Sequence, residues 1–309
     1  MDVESTPVLI ERRKTIMKKI IALLMAALLV FAFSGCTPAK VDEETSTDAA
    51  SSDAVEATTA KLDLDVEPIT GLDDLADGSD LAKIIANGKI VVGITDYAPM
   101  DYKDPGSDEW TGFDAEFAES FGEAIGVDVE FIEIDWDNKF FELEANKIDC
   151  IWNGMTITDE ALLNTSVSNA YVKNAQVVVM AADKVADYAD AASMAELSFA
   201  VESGSAGEDA AKENEYTYTA VLTQADALME VKAGTADACV IDITMANAMT
   251  GAGTSYETLA KGVELTSEEY GVSFRKGSDV AAVFNAFMAD QKANVLEPLA
   301  AKYELTLAF

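Results

Sequence analysis

Two hydrophobic periods alternate along the chain, and their order predicts its architecture. Residues 80–87 carry apolar side chains at helical spacing and stop at Gly88, and the run Lys89–Ile94 that follows is β-branched and strand-like. Phe113, Phe117, Phe121 and Ile125 then recur every fourth residue up to Gly126, which predicts a helix with one apolar face. Val127–Ile134 reads as a strand, Asn138–Asn146 as a second amphipathic helix, and the apolar run about Cys150 as the strand it leads into. Alternating strands and helices predict an α/β sheet with parallel strands.

The pattern then restarts. Gln176–Met180 and Ser198–Glu202 are apolar and strand-like, Ala225–Lys232 is helical, and Ala238–Ile241 is a further strand. Glu142-Leu143-Glu144-Ala145-Asn146-Lys147-Ile148-Asp149-Cys150 resembles Val231-Lys232-Ala233-Gly234-Thr235-Ala236-Asp237-Ala238-Cys239: each reads as helix, turn, Asp, strand. Two α/β lobes on one plan are therefore expected. In open α/β sheets ligands sit beyond the carboxyl ends of the strands, so the loops after Ile94, Trp152, Glu202 and Ile241 are where a site belongs.

Upstream of residue 71 the folded pattern is missing. Lys18 and Lys19 precede an unbroken apolar stretch, Ile20–Phe33, which is short for a membrane span but suits a signal peptide. Phe33-Ser34-Gly35-Cys36 resembles the lipobox of bacterial lipoproteins, which implies a diacylated Cys36 as the mature N-terminus. Residues 1–16 fit no part of such a leader, so Met17 is the expected start. From Thr37 to about Pro68 the chain is Ala, Ser, Thr, Asp and Glu with few large apolar residues, the composition of a disordered tether. The expected organisation is 1–36 as a lipoprotein signal segment, 37–70 as tether, 71–175 and 270–309 as the two parts of lobe 1, and 176–269 as lobe 2.

Charge and composition narrow the function. The 21 Lys and Arg stand against 56 Asp and Glu, a net charge of −35 that disfavours nucleic acid and anionic surfaces. The chain has no histidine, which removes the usual general base, the Ser–His and Cys–His nucleophile pairs and most zinc sites. No catalytic residue, cofactor or metal is expected. Cys150 and Cys239 lie in apolar runs and read as two buried thiols.

Several stretches resemble the amino-acid-type family of bacterial solute-binding proteins that serve ATP-binding-cassette importers. They are Gly93-Ile94-Thr95-Asp96-Tyr97-Ala98-Pro99, Thr111-Gly112-Phe113-Asp114, Gly154-Met155-Thr156-Ile157-Thr158-Asp159-Glu160, Ala233-Gly234 with Asp237-Ala238, and Tyr270-Gly271-Val272 with Arg275-Lys276-Gly277. The resemblance implies a two-lobed, type II periplasmic-binding-protein-like fold that closes on its ligand, with two crossing hinge strands near Asn174–Val177 and Thr266–Gly271. It implies a ligand site built from Asp96, Tyr97, Trp136, Asn153, Gly154, Thr156, Glu202, Ser203, Ser205, Ala206, Gly207 and Asp242. Asp242 ends an apolar strand where a carboxylate can meet a ligand ammonium. Asp96 matches the position that holds cationic side chains in binders of basic amino acids. Tyr97 and Trp136 can sandwich an apolar stem or face a cation. The small residues from Ser203 to Gly207 let backbone N–H groups point at an anion.

One departure bears on the ligand. The family motif after Thr158 ends Glu-Arg, and that arginine grips the ligand's α-carboxylate; this chain has Ala161 there. Past the leader the sole arginine is Arg275, at a framework position. Glu202 stands where the family sometimes has lysine. With Asp96, Glu202 and Asp242 as the pocket's expected charges, the expected ligand is an amino acid or a related cationic amine. The expected partners are that small molecule, the permease and ATPase subunits of an importer, and the cell membrane through the lipid anchor. A periplasmic-type dehydratase using Glu202 as its acid, or a ligand-presenting sensor, are the alternatives; turnover of prephenate or arogenate would single out the first.

Overall fold

The computed structural model describes residues 60–72 and 75–309, so the leader, Cys36 and most of the tether lie outside the described residues. Helix α1 (Asp80–Asn87) starts where Ser79 Oγ accepts the Ala82 N–H and ends on Gly88 in the left-handed region. It is followed by β1 (Lys89–Ile94), a hairpin of β2 (Tyr102–Lys103) and β3 (Trp110–Thr111), α2 (Phe113–Ile125), β4 (Asp128–Glu133), α3 (Lys139–Glu144), β5 (Cys150–Ile151), α4 (Asp159–Asn164) and β6 (Thr165–Val167). β7 (Val172–Asn174) leads to β8 (Gln176–Ala181), β9 (Ser198–Glu202), α5 (Ala206–Glu213), β10 (Thr217–Val221), α6 (Gln224–Ala233), β11 (Ala238–Asp242), α7 (Ile243–Met249) and β12 (Leu259–Glu264). The chain returns through β13 (Glu268–Tyr270) to β14 (Ser273–Arg275), α8 (Val280–Asp290) and α9 (Glu297–Lys302).

Two five-stranded sheets result, ordered β4-β1-β5-β14-β6 and β10-β9-β11-β8-β12. β1 runs parallel to β4 and β5, as β9 does to β10 and β11. The expectation of parallel strands holds for the direction of four strands in each sheet and fails for one, β14 in the first and β8 in the second. β14 pairs antiparallel with β5 and β6, and β8 with β11 and β12. The reason lies in the connections: β8 and β14 each follow directly on a strand that crosses between the sheets. Those strands, β7 and β13, pair antiparallel with Glu268 opposite Asn174 and Tyr270 opposite Val172.

The internal repeat has a structural cause. Asp149 donates its N–H to Val91 O at 2.7 Å, and its carboxylate accepts the Val91 N–H at 3.0 Å. Asp237 does the same to Ser198, at 2.9 Å in both directions. In each sheet the aspartate before the third parallel strand clips the start of the first. That fixes the register, and the register decides where the strand ends carry their loops.

The core of the first sheet is aromatic. Phe113, Phe117 and Phe121 are fully buried, and the Phe117 ring meets Trp152 edge-on at 5.0 Å and Phe284 at 5.4 Å. Cys150 and Cys239 are free and buried, and burial raises both thiol pKa values. Helix α3 is shorter than its pattern. It begins with a tight turn at Trp136–Asn138 and stops at Glu144, two residues before Asn146 turns left-handed at φ 57°. The segment expected to be the end of the tether packs on the body. Leu64, Val66, Ile69 and Leu72 lie against the core, the Ile69 N–H donates to Ala124 O at 2.8 Å, and Lys61 pairs with Glu119. A handful of aliphatic contacts is enough to hold it despite its polar composition.

Candidate functional site

The carboxyl ends of β1, β5, β9 and β11 face one cleft of about 520 Å³ of empty space, part of it open to solvent. Of the expected site residues, the cleft gathers Tyr97, Trp136, Asn153, Gly154, Thr156, Glu202, Ser205, Ala206 and Asp242. Asp96, Ser203 and Gly207 do not line it. Asp96 is exposed in the turn after β1, with its pKa raised by partial burial and by Glu133. Ser203 donates its N–H to Val221 O at 2.9 Å, which turns its backbone towards β10. Gly207 lies in the first turn of α5, where a Cβ would meet Val240 O at 2.8 Å; its lack of a side chain serves packing against β11.

On the first sheet, Asn153 is held on every side. Its Oδ1 accepts from Thr95 N and Oγ1, at 3.1 and 2.8 Å, and its Nδ2 donates to Thr95 O at 3.0 Å and Asp101 Oδ2 at 2.7 Å. It joins the ends of β1 and β5 and has little left to offer a ligand. Gly154 takes φ 55°, and a Cβ there would come within 2.6 Å of the Tyr97 ring, so glycine lets Tyr97 form the wall. Beneath it, Asp114 accepts the Gly154 N–H at 2.6 Å and the Tyr171 O–H at 2.8 Å. Tyr97 OH is itself occupied, bonded to Thr244 Oγ1 and to Tyr270 OH.

On the second sheet the acids differ. Asp242 is 5% exposed, and four side chains donate to it. Asn174 Nδ2, Gln176 Nε2 at 2.9 Å and Tyr270 OH at 2.9 Å reach Oδ1, and Gln224 Nε2 reaches Oδ2. Burial and the neighbouring Glu268 carboxylate nonetheless raise its pKa, to about 7. Glu202 is 2% exposed, and its Oε1 has no hydrogen-bond partner. Burial, then Asp242, pushes its pKa up to about 8, against the pull of Lys139 and Gln224. A buried carboxyl with an open oxygen in a cleft is costly unless something fills the gap.

Two parts of the expected charge pattern need correction. Asp96 does not contribute to the cleft, and a cation does: Lys139 lines it, 7% exposed, with Nζ donating to Gly204 O at 2.7 Å and Trp136 O at 3.2 Å. The ammonium also lies 5.0 Å from the Trp136 ring centre and 4.9 Å from that of Phe140. A lysine on an amphipathic helix ordinarily reads as solvent-facing, which hid it; its place one turn after Trp136 was the available clue. Gln224, Glu268 and Tyr270 were also missed: Gln224 lines the cleft and donates to Asp242, Tyr270 donates to Asp242 from β13, and Glu268 on the same strand accepts from Thr156, Asn174 and Gln176. Arg275 is a framework residue, as expected. Its guanidinium ties Asp80 at 2.9 Å, Ile148 O at 2.8 Å and Asp149 at 3.0 Å.

The model of the bacterial extracellular solute-binding proteins, family 3, matches residues 90–306. The arginine-binding extracellular protein ArtP of Bacillus subtilis (strain 168) is 27% identical over 228 residues, covering 70% of this chain and 86% of that protein. The ABC transporter glutamine-binding protein GlnH of the same strain is 28% identical over 220 residues, covering 69% and 80%. Among solved structures, the ancestral amino acid-binding protein AncCDT-1, a precursor of cyclohexadienyl dehydratase, superimposes with a TM-score of 0.67 at 28% identity, over 73% of this chain and 99% of that one. The two-lobed type II periplasmic-binding-protein fold is common to this chain and that structure.

Proposed function

The chain belongs to the bacterial extracellular solute-binding proteins, family 3, and from that premise we propose that it captures an amino acid or a related cationic amine for an ATP-binding-cassette importer. It does so at the outer face of the cell membrane, held there through a lipid on Cys36, and passes its ligand to permease and ATPase subunits. The ligand sits between the lobes, against Tyr97, Trp136, Thr156, Glu202, Ala206 and Asp242, while Asn153, Gly154 and Ser205 shape the cleft. Asp96, Ser203 and Gly207 fall out of the contact set, because they do not line the cleft.

The observation that carries the reading is the open Oε1 of Glu202, buried beside Asp242 at the carboxyl edge of the second sheet. An ammonium placed there satisfies the oxygen and supplies the charge that burial otherwise withholds. Relatives whose names include arginine and glutamine fit a ligand bearing an α-amino group.

A thermal-shift screen of the full chain against amino acids, amines and polyamines tests this. A ligand at about 100 times its dissociation constant should add roughly 2.7 kcal/mol of stability, a shift of several degrees for a chain of this size. A flat response across cationic and zwitterionic compounds alike would contradict the assignment of ligand class.

A further inference from the structure

Lys139 has a capacity that the folded chain leaves unused. Its ammonium carries three donors, and the structure gives two of them partners, the carbonyls of Gly204 and Trp136. Among the described residues no carboxylate lies within 4 Å of it. Glu160, Glu202, Asp137 and Asp209 act on it only through their fields, and burial lowers its pKa more than any one of them raises it. A cation taken out of water without an anion in contact is an expensive arrangement, and this one is in the wall of the cleft that Glu202 and Asp242 also line. Glu160 and Asp209 line it too, and Lys139 is the one cation among the described residues that do.

Glu160 and Asp209 keep Lys139 an ammonium through their fields without taking its third donor. Ala161, next to Glu160, lines the same wall with only a methyl group. Ala206 also lines the cleft, and its N–H is in the first turn of α5, where a helix has no acceptor of its own to offer. The carbonyl that Lys139 holds belongs to Gly204, two residues before that turn, so the ammonium and the start of the helix meet at one spot.

We infer that Lys139 binds the carboxylate of the ligand, in the same cleft as the ammonium site at Glu202 and Asp242, so that the cleft selects an α-amino acid over the amine left by its decarboxylation. The inference rests on the binding reading above and narrows it. Lys139 does so from α3, in place of a guanidinium at position 161, and its bond to Gly204 O carries the grip across to the loop before α5.

Calorimetry on the full chain with matched pairs tests it: L-arginine and agmatine, L-lysine and cadaverine, L-histidine and histamine. The amino acid of the bound pair should be preferred at least tenfold. Lys139→Met, which keeps the length of the side chain, should remove that preference by weakening the amino acid and sparing the amine. Adding Ala161→Arg to Lys139→Met should restore it. An amine that binds the unmodified protein as tightly as its amino acid overturns the inference without any variant. So does a preference that survives Lys139→Met in a protein with an unchanged circular dichroism spectrum. Either result leaves the binding function standing, whereas no binding of any amino acid or amine removes that function and this inference with it.

Discussion

The ligand-free protein should lose stability as the pH rises from about 5 to 9, and Glu202→Gln should recover much of that loss while weakening the ligand. Glu202 has its pKa raised to about 8 in the fold, chiefly by burial. A carboxyl whose folded pKa lies above its unfolded value contributes fully below the unfolded value of 4.5. The contribution disappears as the pH climbs through the folded value, because ionisation is then easier in the unfolded chain. At about 1.4 kcal/mol per unit of pH the full effect is several kcal/mol, on the order of 10 °C in melting temperature. Glutamine has the same shape and no charge, so the alkaline fall should shrink, with Asp242 and Asp114 supplying what remains because burial raises them too. Binding should move the other way. Losing the buried partner of an ammonium should weaken the ligand tenfold or more. A variant that lost affinity together with alkaline stability would point to simple damage instead.

Phe117→Ala should have the largest effect on stability with the least on ligand chemistry. The ring is fully buried and touches Phe113, Trp152, Tyr171, Phe284 and Phe287. Truncating such a side chain to alanine removes its transfer energy and leaves a cavity, about 3–5 kcal/mol together. At roughly 2–4 °C per kcal/mol for a chain of this size, the melting temperature should fall by about 6–20 °C. Phe117 does not line the cleft, so the folded fraction should bind with unchanged affinity at low temperature. A fall of a degree or less in a melting scan would mean that the aromatic layer is not the core of the first lobe.

Phe117 also shows what could be read in advance. Its spacing with Phe113, Phe121 and Ile125 is a local signal, and local signals located α1, β1, α2, β9 and β11 within a residue or two. The repeat ending in Asp149 and Asp237 was legible for the same reason, since each aspartate bonds the first strand of its own sheet. The antiparallel strands were not legible. β8 and β14 have the composition of any buried strand, and their direction is set by crossings that bring residues about a hundred apart in sequence together. The site divides the same way. Tyr97, Trp136, Glu202 and Asp242 stand at strand ends or next to them, where topology puts ligands, and the cleft gathers all four. Asp96 follows β1 just as directly, but the turn points it to solvent. Lys139 was hidden because helical periodicity sees the helix's own faces and not the neighbouring lobe that buries one of them. Its bond to Gly204 O spans 65 residues of sequence.

Calorimetry at pH 7 in two buffers with different heats of ionisation tests the central claim most directly, because it counts protons as the ligand binds. Glu202 is mostly protonated in the free protein at that pH, and an ammonium beside it favours the carboxylate. Binding of the amino acid found in the screen should therefore release close to one proton per ligand, and Glu202→Gln should abolish most of that release. Tight binding of a ligand without an ammonium group, or binding with no proton released and no change in Glu202→Gln, would contradict the account.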